Sequence, residues 1–133
     1  MCYFLYGIIN QEANADAVTA LCAKTEFRFS VGTKHDLKLC IAEDGNSDVC
    51  RVTDWVCDCA FPMCMEDSHA QELQALVDLI AALRDVPNAQ TIYLCKTWAG
   101  KRNKKERSVR LDDIDLCAFL ANAQVNTLYC IQF

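Results

Sequence analysis

The chain is 133 residues long, 53 % hydrophobic and 23 % charged, with a formal net charge of −5. That length fits one domain able to bury its own core, and the composition excludes a disordered or collagen-like chain. No apolar run approaches the roughly 20 residues of a membrane span, and an acidic balance argues against nucleic acid as the main partner.

The opening Cys2 to Ile9 is apolar, aromatic and β-branched, and reads as a buried central strand with Cys2 as its first buried residue. It lacks the basic start and small-residue cleavage site of a signal peptide, which makes a cytoplasmic protein the expectation. Asn10 to Asn14 offer caps for a helix over Ala15 to Lys24, with Val18, Leu21 and Cys22 at helical spacing. Glu26 to Val31 alternates as a strand, and a Gly32 to Asp36 turn leads to a second strand, Leu37 to Ile41. Glu43 to Asp48 is an acidic turn before an extended segment, Val49 to Cys59.

Asp67 or Ser68 caps the clearest helix, which runs to Arg84 with a stripe of Leu73, Leu76, Val77, Ile80 and Leu83. Gln71 completes a capping box with Ser68. Thr91 to Trp98 reads as a strand and Ala99 to Arg110 as a basic loop. Asp112 caps a helix carrying Leu116, Cys117 and Leu120, and Thr127 to Phe133 is the last strand. The element order predicts an α+β domain spanning residues 1–133. The expected architecture is a ferredoxin-like βαββαβ sandwich with helices on one face and a C-terminal helix–strand extension. A three-layer α/β arrangement is the alternative.

Ten cysteines in a cytoplasmic chain read as thiols, buried or metal-bound. Cys2, Cys22, Cys40, Cys95, Cys117 and Cys130 each stand alone in an apolar pattern, where free cysteine serves as a small hydrophobe. The stretch from Cys50 to His69 differs, for it holds four cysteines, a histidine and a tryptophan. In an extended chain Cys57 and Cys59 share a face about 6.6 Å apart at roughly 3.3 Å per residue, too strained for easy bridging. Two thiolates about 2.3 Å from a tetrahedral zinc fit more readily. Cys57, Cys59 and Cys64, with Cys50 or His69, therefore form a candidate zinc-like site. The competing readings are small apolar groups flanking a solvated Asp58, or a redox or nucleophilic thiol. Asp54, Asp58, Glu66 and Asp67 supply negative charge, which disfavours an activated thiolate and suits a cation.

Lys101 to Arg110 carries six bases and one acid on an otherwise acidic chain. Trp98, Lys101, Arg102, Lys104 and Lys105 are the candidate contacts for an anionic ligand or an acidic protein partner, with a solvated loop as the plainer alternative. Gly100-Lys101 lacks the first glycine and the Ser/Thr of a phosphate-binding loop. His35 before Asp36 is a polar turn residue with no nucleophile beside it in sequence. Met1-Cys2 before an apolar strand resembles the start of class II glutamine amidotransferases, in which the N-terminal Cys is the nucleophile. Tyr3 stands where that family has glycine, and the chain is short for its four-layer fold. Without a stronger catalytic signature, the expectation is a binding domain. A thiol-dependent enzyme acting through Cys57, Cys59 or Cys2 is the alternative, and self-association is left open.

Overall fold

A computed structural model describes residues 2–42, 50–55, 57–62, 69–98 and 105–133. Five strands form one open mixed sheet in the order β2-β1-β3-β5-β4, with β1 at Phe4–Asn10, β2 at Ser30–Gly32, β3 at Thr91–Thr97, β4 at Lys105–Arg110 and β5 at Thr127–Gln132. Four α-helices accompany them among the described residues: α1 at Ala15–Cys22, α2 at Lys34–Ala42, α3 at Ala70–Leu83 and α4 at Leu116–Asn122. The chain is a mixed α+β protein, as its sequence indicates.

The centre of the sheet is antiparallel, with β3 between β1 and β5. Each edge is a parallel pair, β1 with β2 through α1 and β5 with β4 through α4. Strand residues alternate between faces. Leu5 and Ile9 of β1, Ile92 and Leu94 of β3, and Tyr129 and Ile131 of β5 join the main core with α1, α3 and α4. Tyr6, Ile8, Cys95 and Leu128 point the other way and pack with Leu37 and Ile41 of α2. Helices therefore cover both faces, not one. The reason lies in β1, whose residues from Leu5 to Asn10 are all buried, so each side of the strand needs a cover.

The expected strand Leu37 to Ile41 is part of helix α2. Thr33 and Asp36 form a reciprocal cap, Thr33 N–H donating to Asp36 Oδ2 at 2.8 Å and Asp36 N–H to Thr33 Oγ1 at 3.1 Å. Leu37 and Ile41 are then one turn apart and buried, while Leu39 is exposed. The element order becomes β-α-β-α-α-β-β-α-β, with Glu26 to Val31 contributing regular strand only from Ser30. Residues 105–110 of the expected basic loop form β4, and Asp115, not Asp112, caps α4 by accepting from Ala118 N–H at 3.2 Å. The α1 cap is as expected, Asn14 Oδ1 accepting from Ala17 N–H at 3.0 Å. Helix α3 begins at Ala70, with His69 at its N-cap position. Asp67 and Ser68 lie outside the described residues.

No helix among the described residues is long and apolar enough to cross a membrane.

Candidate metal centre

Strand β2 runs alongside only the second half of β1, from Ile8 to Asn10. The backbone groups of the first half need another partner, and Arg51, Val52 and Asp58 supply it. Val52 N–H donates to Leu5 O at 2.9 Å, Arg51 bridges to Tyr6, and Asp58 N–H donates to Tyr3 O at 2.9 Å. The next donor, Leu5 N–H, meets no carbonyl. It donates instead to the Asp58 carboxylate, Oδ2 at 2.7 Å. Thr53 Oγ1 donates to Oδ1 of the same group at 2.5 Å and Arg51 Nη2 to Oδ2 at 3.3 Å. Asp58 is fully buried, not solvated as the sequence reading allowed.

This anchoring decides where the flanking cysteines go. With Asp58 turned inward, Cys57 and Cys59 project outward beside the chain that leads into β1, and Tyr3 N–H reaches Cys59 Sγ at 3.3 Å. Cys2 lies one residue earlier. The sulfurs of Cys2, Cys57 and Cys59 all lie within 4.8 Å of one another. Lys96 of β3, 1 % exposed, holds the same loop from below, its Nζ donating to Cys59 O at 3.0 Å and Pro62 O at 3.1 Å. Trp55 and Phe61 fix the two ends, with ring centroids 5.1 Å apart, and Phe27 stacks on Phe61 at 5.8 Å.

Cys2 and Cys59 are exposed and Cys57 is half-buried. The Cys57 thiol is held below its ordinary value, chiefly by the Cys59 backbone N–H, then by the Cys59 and Cys2 thiols, against partial desolvation and the like charge of Asp58. Cys2 is pushed up, first by its hydrogen bond to Cys57 and then by the charge of that group. The contacts that favour the thiolate on Cys57 thus disfavour it on Cys2. Such an arrangement is a nucleophile, one side of a disulfide, or a preformed set of soft metal ligands.

The sequence-derived ligand set divides. Cys57 and Cys59 are together. Cys50 is buried on the opposite face of the sheet and is bonded to Cys40 across a Cα separation of 6.3 Å, so these two are not free thiols. His69 packs on Trp55 and Phe61 at centroid distances of 5.8 and 6.1 Å, with Nδ1 turned to Glu72 at 4.0 Å. Cys64 lies outside the described residues. The sequence reading missed Cys2 as a member of the site, since 55 positions separate it from Cys57. It is exposed ahead of β1, where a buried strand residue was expected. Cys22, Cys95 and Cys130 are buried, as their apolar patterns indicate.

Of the candidate anion contacts, Lys101, Arg102 and Lys104 lie outside the described residues. Lys105 is exposed at the start of β4, and Trp98, at the end of β3, packs edge-on against Tyr3 at 5.8 Å. Glu106, the one acid of that segment, accepts from Lys38 of α2 and from Lys34 at 3.4 Å, and those bonds hold its carboxyl below the usual range.

Three groups of one residue type, brought together from two parts of the chain, are what the geometry offers for recognition. Comparison with protein families, characterised proteins and solved structures returned no match.

Proposed function

We propose that this protein is a binding domain whose functional site is the Cys2–Cys57–Cys59 triad, and that the triad holds a thiophilic, zinc-like metal ion. The observation that carries the reading is the mutual approach of three sulfurs within 4.8 Å. Thiolates around a tetrahedral ion at about 2.3 Å stand about 4 Å apart, so small rotamer changes bring these sulfurs to coordinating distance. The basic segment from Lys101 to Arg110 is the proposed contact for an anionic ligand or acidic partner, supported by its charge against an otherwise acidic chain.

A thiol-dependent reaction is the second reading, favoured by the lowered Cys57 thiol. Elemental analysis of reduced protein, purified without added metal, separates the two. The metal reading expects about one ion per chain, lost in Cys57→Ser. A metal content near zero that stays there after incubation with zinc or copper salts removes it.

A further inference from the structure

We propose that the triad is an exchange site for a three-coordinate monovalent soft cation of the Cu(I) class, taken up from and passed to other thiolates, and not a seat for a permanent structural ion. This rests on the reading of the triad as a thiophilic metal site and replaces the zinc-like ion of that reading with a softer, monovalent one.

Ligand number favours such an ion. Among the described residues the cluster contains three groups able to ligate, all sulfur. A closed structural zinc site uses four protein ligands. Soft thiolate sets select Cu(I), and three sulfurs satisfy that ion in a trigonal arrangement.

Protein bonds hold the triad's frame. Cys57 and Cys59 are placed by the buried carboxylate between them, which accepts from Leu5, Thr53 and Arg51. Lys96 fixes the Cys59 carbonyl, and Tyr3 N–H fixes its sulfur. Where a site forms only as its ion binds, binding energy is folding energy. Here protein bonds have already placed the ligands. Removal of the ion leaves the frame standing, which a reversible carrier requires.

The sulfurs are also open to approach. Cys2 and Cys59 are exposed, so an incoming thiolate can approach the ion before a resident one leaves. In that step a bond from copper to the donor's sulfur breaks as one to a triad sulfur forms. Each triad thiol that binds releases its proton to solvent, and copper stays Cu(I), so no electron moves.

The test loads reduced, metal-free protein anaerobically with equimolar Cu(I), then adds excess Zn(II), and reads copper content and sulfur coordination by X-ray absorption. Circular dichroism of the metal-free protein is recorded alongside. The proposal expects equimolar Cu(I) with three sulfur neighbours, retention against zinc, loss of that coordination in Cys2→Ser, and native ellipticity without metal. A fourth protein ligand, displacement by zinc, or unfolding of the metal-free protein overturns it while leaving a metal site in place. Failure of both ions to bind at stoichiometric level sinks the metal reading itself.

Discussion

The Asp58 carboxylate accepts the backbone N–H of Leu5 at 2.7 Å, so a side chain stands where a neighbouring strand would place a peptide carbonyl. This bond faces the middle of the Cys-Asp-Cys triplet into the sheet and its two cysteines away from it. Removing the carboxylate leaves the Leu5 N–H, the Thr53 hydroxyl and the Arg51 guanidinium without their shared acceptor. Breaking a buried pair from one side costs about 3–5 kcal/mol. Asp58→Ala is expected to lower stability by that much in urea unfolding and to separate Cys57 from Cys2. A loss below about 0.5 kcal/mol, the range of plain surface changes, would show that the loop is held by other means.

Gly7 on β1 faces the same loop. A Cβ there would meet Phe29 Cε1 and Val52 Cγ2 at 2.8 Å and Leu94 Cδ2 at 2.9 Å. These atoms sit in the core, where an inserted methyl costs about 1–3 kcal/mol. Gly7→Ala should therefore lower the urea midpoint with little change in slope. An unchanged midpoint would mean that Val52 moves aside freely and that the loop is not tightly seated.

Thiol reactivity gives a pH-dependent prediction whose sign is set by the contacts. Cys57 is held below the ordinary thiol value of about 8.5 and Cys2 is pushed up. Near pH 7 Cys57 therefore carries a larger thiolate fraction than Cys2, and the difference fades as pH rises. A brief iodoacetamide pulse near pH 7, mapped by mass spectrometry, should modify Cys57 first even though Cys2 and Cys59 are more exposed. Preferential labelling of Cys2 would mean that exposure, and not ionisation, controls the chemistry.

The order of elements shows what was legible in the sequence. The stripe of α3 and the apolar runs of β1, β3 and β5 are long and periodic, and their positions followed directly. Helix α2 did not, because Leu37-Lys38-Leu39-Cys40-Ile41 alternates like a strand. Its signal is Thr33 three residues ahead of Asp36, a capping pair that also has the composition of a turn. At the site, Cys57 and Cys59 were visible as a local pair. Cys2 was invisible because nothing local joins it to them. Their meeting depends on the short β2 leaving half of β1 for Arg51, Val52 and Asp58 to complete.

His69 offers a control. Its ring belongs to the Trp55–Phe61 cluster, so His69→Ala should reduce stability through lost packing while leaving metal affinity unchanged. A large loss of affinity would return His69 to the ligand set.

The most direct test of the account is the contribution of Cys2 to binding at Cys57 and Cys59. Cd(II) titration, followed by thiolate charge-transfer absorbance, should give one site in the parent protein. Even an outer partner of a metal ligand is worth about 10–100-fold in affinity, so Cys2→Ser is expected to weaken binding by at least that factor and to remove one thiolate's share of the absorbance. Equal affinity and equal absorbance in the variant would contradict the triad.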